Sequence, residues 1–159
     1  MRDLGTPVYP RSFFAKILRT LPETAGIVLV RLRGEPAAAG FLIGSGARIE
    51  VPWASSLRKF NSTSVNMLLY WEMLKVGIEQ GYDLFDFGRC TENSGSHRFK
   101  KQWGAVQEQL YWHYWVREGA DMPNLSPQNP KYGLAIWAWQ HLPLFVANWI
   151  GPRIVKNLP

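Results

Sequence analysis

The sequence predicts an α/β chain of the α+β kind, a mixed and mostly antiparallel sheet flanked by helices, on three observations. Three short apolar runs joined by tight turns lie between Gly26 and Trp53, the pattern of an antiparallel meander. A long segment from about Ser62 to Gln80 repeats its apolar residues at helical spacing. Leu84 to Phe87 then makes a brief strand, and strand, helix, strand implies a right-handed crossover that sets the new strand parallel to its predecessor.

Taken in order, Pro10 to Arg19 is a helix, with Phe13, Phe14, Ile17 and Leu18 at helical spacing, Pro10 in its first turn and Leu21-Pro22 as its stop. Gly26 to Arg33 and Ala37 to Ile43 are strands about the Gly34-Glu35-Pro36 turn, and Gly44-Ser45-Gly46 turns into a third strand, Ala47 to Trp53. Ser62 or Thr63 caps the long helix and Gly81 ends it. Val65, Leu68, Leu69, Met73 and Val76 share one face, and Met67, Tyr70, Trp71 and Leu74 widen it, so most of its circumference is expected to be buried. After the Leu84 strand, Thr91 to Ser96 has loop composition, and Ser94 or Ser96 caps a short helix that Gly104 ends. Phe99 and Trp103 stand one turn apart on its packed face, while His97 and Lys100 share another face, toward a cleft.

Val106 to Arg117 is rich in aromatics and reads as a further strand, with Trp112 and Trp115 on opposite faces. Residues 1–117 are thus expected to form the lobe, 118–133 a linker rich in proline and asparagine, and 134–159 an apolar helical extension. That extension, interrupted by Gln140, His141, Pro143 and Asn148, is shorter than the about 20 residues that span a bilayer. It reads as a helical hairpin that closes the domain or docks on a neighbour, or as an interfacial helix with Arg153 and Lys156 near anionic lipid.

Composition narrows the classes. At 159 residues, 47% hydrophobic and 19% charged, the chain is long and apolar enough for a real core, which excludes general disorder. A net charge of +6 favours anionic partners: phosphorylated carriers, RNA or an acidic membrane surface. Cys90 is the only cysteine, so no intrachain disulfide forms and a reducing cytoplasm is the expected compartment. The N-terminus, with Asp3 and no apolar run, does not read as a signal peptide. Histidines 97, 113 and 141 are too scattered for a metal site.

The residues that carry chemistry cluster around the Leu84 strand. Asp86 either orients or deprotonates an attacking amine, or pairs with Arg89 or a backbone group. Arg89, just past the strand, suits an anionic substrate or a plain salt bridge, and Asn66 on the long helix suits a substrate or a neighbouring backbone segment. Cys90 with Glu92 and His97 raises the idea of a cysteine nucleophile, against which stands the inertness of most lone cysteines beside a strand end.

The stretches N-S-T-S-V-N-M-L-L-Y-W-E-M-L from Asn61, G-Y-D-L-F-D-F-G-R from Gly81 and H-R-F-K-K-Q-W-G from His97 resemble the C-terminal GNAT-like lobe of Fem-family proteins, the aminoacyl transferases that build peptidoglycan cross-bridges. The opening R-D-L-G-T-P-V and the tail H-L-P-L-F-V-A-N-W-I-G-P are most similar to the branch associated with bacterial exopolysaccharide and PEP-CTERM sorting systems. The resemblance implies a GNAT-like acyltransferase fold and transfer of an acyl or aminoacyl group from an activated ester to an amine on a cell-envelope or exopolysaccharide precursor. It implies Phe99 and Lys100 at the active site; the residues themselves add Asp86 beside them as a catalytic candidate and Arg58, Lys59, Asn66, Arg89, His97 and Lys101 as candidate substrate contacts. Attack on an ester carbonyl builds negative charge on its oxygen, which a preplaced ammonium such as Lys100 stabilises, unless it holds a phosphate instead. Replacing Lys100 by alanine is then expected to abolish transfer and leave the Tm nearly unchanged.

Fem proteins carry two such lobes and this chain has room for one, so a second GNAT-like lobe is an expected partner. Enzymes of this fold that use acetyl-CoA place Q/R-x-x-G-x-G/A before the long helix, whereas Arg58 to Ser64 holds no glycine. No tightly bound cofactor is expected, and aminoacyl-tRNA or another activated ester is favoured over acetyl-CoA as donor. The acceptor is expected to be a small molecule or glycan precursor, and the location the cytoplasm or the inner face of the membrane, reached through residues 134–156. The reading from another class is a non-catalytic half-domain that binds a polysaccharide or lipid-linked precursor.

Overall fold

A computed structural model of the chain describes residues 2, 5–111, 113–119 and 133–156. Its elements run α1 (Arg11–Thr20), β1 (Ala25–Leu32), β2 (Glu35–Ser45), β3 (Arg48–Ser56), a 3-10 helix (Arg58–Thr63), α2 (Val65–Glu79), β4 (Leu84–Asp86), α3 (Gly95–Gln102), α4 (Gly133–His141) and α5 (Leu144–Val155). The chain divides into two compact units, Ile17–Glu108 and the pair Met1–Lys16 with Gln109–Pro159. The sequence had grouped residues 1–117 as one lobe; by contacts, the first 16 residues group with those from 109 onward.

The larger unit is a four-stranded sheet in the order β1-β2-β3-β4. The first three strands form the expected antiparallel meander, and β4 joins β3 in parallel. This is the GNAT-like arrangement anticipated from the element order. The β2–β3 register jumps from Phe41↔Trp53 to Ile43↔Glu50, so β3 bulges at Val51-Pro52. Proline has no N–H to give a ladder, which is why it sits at the irregularity. The β3–β4 ladder holds only Arg48↔Leu84, Ile49↔Phe85 and Glu50↔Asp86, ending where the bulge begins. Beyond it β3 continues to Ser56 without β4 as a partner.

The core lies between the sheet and α2. Val65, Leu69, Met73 and Gly77 recur every four residues along one stripe of α2, with Tyr70 beside it, and pack on Val30, Ala37, Ala38, Leu42, Ile49 and Val51. The expectation of a helix buried around most of its circumference is corrected: Met67, Leu68, Trp71 and Ile78 are exposed. With one sheet there is one face to bury against. The 3-10 helix also replaces what was read as the first turn of the long helix, because Ser64 is left-handed at φ 54° and interrupts the α-helical path.

A second correction concerns the aromatic strand. None of the described residues from Val106 to Arg117 lies in a strand, and Val106, Tyr111 and Trp115 are exposed. Aromatic content favours a strand only when a partner supplies the ladder, and the edge strand β4 is three residues long. Trp112 and residues 120–132, most of the expected linker, lie outside the described residues. In the smaller unit, α4 and α5 follow one another with Leu142-Pro143 between them. No helix among the described residues is long and apolar enough to cross a membrane.

Close approach of α2 to β2 depends on Gly40, where a Cβ would collide with the Met73 side chain, itself fully buried. Gly40→Val should therefore lower stability by about 1–3 kcal/mol through overpacking, read as a lower urea midpoint with unchanged slope.

Candidate active site

The β3–β4 ladder ends at Glu50↔Asp86, and three of the side chains singled out in the sequence, Asp86, Phe99 and Lys100, lie about the turn that follows. Gly88 makes the turn possible: its φ is 71°, and a Cβ on it would come within 3.0 Å of the Val51 carbonyl on the bulged strand. The Asp86 carboxylate fixes this turn, accepting from the Gly88 N–H at 2.8 Å and from Arg48 Nη1 at 3.0 Å. Its side-chain ion pair is thus with Arg48, two residues before Glu50 on β3, and the expected alternative of Arg89 is replaced. Parallel register explains the exchange, since Arg48 and Asp86 lie on one face of adjacent strands.

Lys100 comes to the same turn from α3. Ser94 caps that helix, its Oγ accepting from the His97 N–H at 3.1 Å, and Trp103 and Gly104 close it. The Lys100 ammonium is buried, donating to the carbonyl of Gly88 at 2.6 Å and of Arg89 at 2.9 Å. These two bonds use two of its three N–H groups, and no further hydrogen bond from it is made among the described residues. Burial pushes its pKa below the ordinary 10.5, and the nearby Cys90, Asp86 and Glu50 oppose that shift without cancelling it.

Phe99 is half-buried in an aromatic group with Tyr70, Phe87 and Trp103. Its ring lies 4.9 Å from Tyr70 and 6.3 Å from Trp103, and Tyr70 stacks on Phe87 at 5.7 Å. Burial raises the Tyr70 pKa. The indole N–H of Trp103 is buried without a hydrogen-bond partner among the described residues.

The remaining predicted contacts separate. His97 is buried: its Nδ1 accepts from the Asn93 N–H at 3.0 Å, which leaves Nε2 to donate to Gln107 Oε1 at 3.0 Å. It ties the loop before α3 to the segment after it, and both nitrogens are engaged; the expected face toward a cleft is not what it presents. Lys59 pairs with Glu35 at the start of β2 and lies 4.7 Å from the Phe60 ring, so it is committed away from the β4 turn. Arg58, Arg89 and Lys101 are exposed, and Asn66 is half-buried in the first turn of α2. Cys90 is exposed, and no group of three metal-ligating side chains occurs among the described residues.

Sequence reasoning missed Glu50. Its carboxylate stands 4.0 Å from where a Cβ on Gly88 would be, it is exposed, and it makes no hydrogen bond or ion pair among the described residues. Only the β3–β4 register brings it opposite Asp86. Arg48 was missed for the same reason, its partner Asp86 lying 38 positions along the chain, and Gln107 because its bond to His97 closes across α3.

This geometry overturns the expectation of an unchanged Tm on removing Lys100. Lys100→Met strands the Gly88 and Arg89 carbonyls and should cost about 1–3 kcal/mol, seen as a lower Tm at neutral pH. In the pH window between the lowered native pKa and the unfolded 10.5, the unfolded chain binds the proton and the native one does not, so stability from this group rises with pH there. The wild-type minus Lys100→Met difference in stability should therefore grow across that alkaline window.

Comparisons with known proteins agree with this architecture. AAC(6')-Iy, an enzyme solved with the bisubstrate analogue CoA-S-monomethyl-acetylneamine, superposes with a TM-score of 0.59 at 13% identity, over 74% of this chain and 87% of that one. A tetramutant of BH1408 from Bacillus halodurans gives 0.54 at 12% identity, over 66% and 73%. A ribosomal-protein-alanine N-acetyltransferase from Brucella melitensis biovar Abortus 2308 gives 0.51 at 10% identity, over 64% and 74%. At these identities the likeness is one of fold. No curated protein matches the chain. The acetyltransferase (GNAT) domain profile matches residues 1–101, taking in the whole meander, α2, β4 and the Phe99-Lys100 pair, and so the chain belongs to the GNAT acetyltransferase family.

Proposed function

We propose that this acyltransferase moves an acyl or aminoacyl group from an activated ester to an amine on a cell-envelope or exopolysaccharide precursor, with the reacting carbonyl at the end of β4. The observation that carries the reading is the buried Lys100 ammonium, pinned by two carbonyls with one N–H left over. An ammonium held in place by the protein costs no reorganisation when charge develops on the carbonyl oxygen, and removing such a donor typically slows an enzyme about 10²–10³-fold.

The amine nitrogen attacks the carbonyl carbon, the C–N bond forms and the C–O bond to the leaving group breaks. The amine must lose a proton. Both Asp86 oxygens are already engaged, one by the Gly88 N–H and one by Arg48, whereas Glu50 makes no such bond among the described residues, so Glu50 takes the proton and returns it to the departing oxygen. Phe99 with Tyr70 and Phe87 keeps water from one side of the turn. Arg89 and Lys101 supply exposed positive charge for a phosphorylated substrate, and Asn66 a polar contact from α2.

For the donor, the backbone before α2 favours an activated ester other than acetyl-CoA. The Phe60 and Ser64 N–H groups are spent on Leu57 and Asn61 carbonyls within and around the 3-10 helix, so the segment does not present the row of free amides that cradles a pyrophosphate. AAC(6')-Iy, which shares the fold, was solved with a CoA conjugate, so acetyl-CoA is the donor to compare.

The test is transfer from labelled aminoacyl-tRNA and from acetyl-CoA to an amino-sugar oligosaccharide. Glu50→Gln should lower kcat about 10²–10⁴-fold with its fold intact, and Lys100→Met about 10²–10³-fold with KM little changed. Because the protonated lysine is required, wild-type activity should fall on the alkaline side at a pH below 10.5. Full activity of Glu50→Gln and Lys100→Met would remove the chemistry from this turn, and turnover of acetyl-CoA alone would reassign the donor.

A further inference from the structure

We propose that the α4–α5 segment is a peripheral membrane anchor that lies on an anionic lipid surface, an inference independent of the transfer chemistry. The smaller unit has an inner and an outer side. On α5, Ala147, Gly151 and Val155 are buried along one stripe, and a Cβ on Gly151 would stand 3.2 Å from the backbone nitrogen of Val8. Arg2 Nη1 donates to the Leu142 carbonyl at 2.9 Å, so the N-terminal segment lines this inner side. Two residues on along a helix is roughly 200° round. Phe145, Trp149 and Arg153 therefore form the outer stripe of α5, with Phe145 75% and Trp149 66% exposed. On α4, Trp139 is buried while Leu134 and Trp137 are 78% and 58% exposed.

Each outer stripe runs from apolar to basic. The Arg153 guanidinium lies 4.6 Å from the Trp149 ring and donates to its carbonyl at 2.8 Å, and the His141 ring lies 4.5 Å from that of Trp137. From Gly133 to Lys156 there is no aspartate or glutamate, while Arg153 and Lys156 are cationic. That charge selects the occupant. A second copy of this segment would set like charges against each other, whereas a lipid headgroup layer places tryptophan and leucine at the acyl boundary and lets cations meet phosphates. Helices of 9 and 12 residues are too short to span and suit lying in the interface.

The experiment is co-sedimentation of the full chain with phosphatidylcholine vesicles and with vesicles containing phosphatidylglycerol, at low and high salt. Binding is expected to be at least tenfold stronger on anionic vesicles and to weaken with salt. Arg153→Glu with Lys156→Glu should remove that preference, and Phe145→Ser with Trp149→Ser should abolish binding to both; circular dichroism melts check that these exposed-site variants stay folded. No sedimentation with anionic vesicles, or sedimentation that neither pair changes, would overturn the proposal. So would a concentration-dependent dimer in size exclusion that Trp149→Ser dissociates, since the face would then belong to a second copy.

Discussion

A parallel ladder that stops after three residue pairs is the constraint from which the site follows. The bulge at Val51-Pro52 denies β4 a regular partner past Glu50, so the chain must leave the sheet at Gly88 with its carbonyls unclaimed by any strand. Carbonyls without a ladder still need donors. Lys100 supplies them for Gly88 and Arg89, and in doing so carries a charge into a place where charge is costly. The same interruption that ends the ladder thus dictates that a cation sits at the turn.

Two further contacts hold that cation's surroundings still. Asp86 bridges Arg48 and the Gly88 amide, fixing the turn from the strand side, and His97 joins Asn93 to Gln107, fixing the loop that presents α3. Beneath them Tyr70, Phe87, Phe99 and Trp103 form one aromatic group, which couples α3 to α2 without any polar bond between the helices. Lys100 and Asp86 are thus each held by two hydrogen bonds, and a charge held in place is more useful than a solvated one.

The fold divides its duties between faces. α2 buries a single stripe against the sheet and leaves Met67, Trp71 and Ile78 in solvent, while Glu50 and Asp86 are register partners at the end of the β3–β4 ladder. Glu50 and Asp86 are chemically alike and a register pair, but their surroundings separate them: one is bonded twice and the other is unencumbered. That difference in environment is why the proposed mechanism gives them different work.

Much of the architecture was legible in the sequence because it depends on near neighbours. Turn glycines define the meander, a four-residue apolar repeat defines α2, and Ser94 caps α3 through an amide three residues away. The Phe99-Lys100 pair was also visible, though only as a pair on a short helix. Where local signals competed with distant partners they misled. The aromatic run from Val106 has strand propensity and no ladder, and the apolar breadth of α2 suggested a second layer that the described residues do not contain. Tertiary structure alone decided that Lys100 is buried on two carbonyls, that Asp86 answers Arg48, and that Glu50 is the unbonded carboxylate beside Gly88. Each of those facts joins residues at least 11 positions apart, and such distances are set by strand register and a bulge, which no window of local sequence encodes.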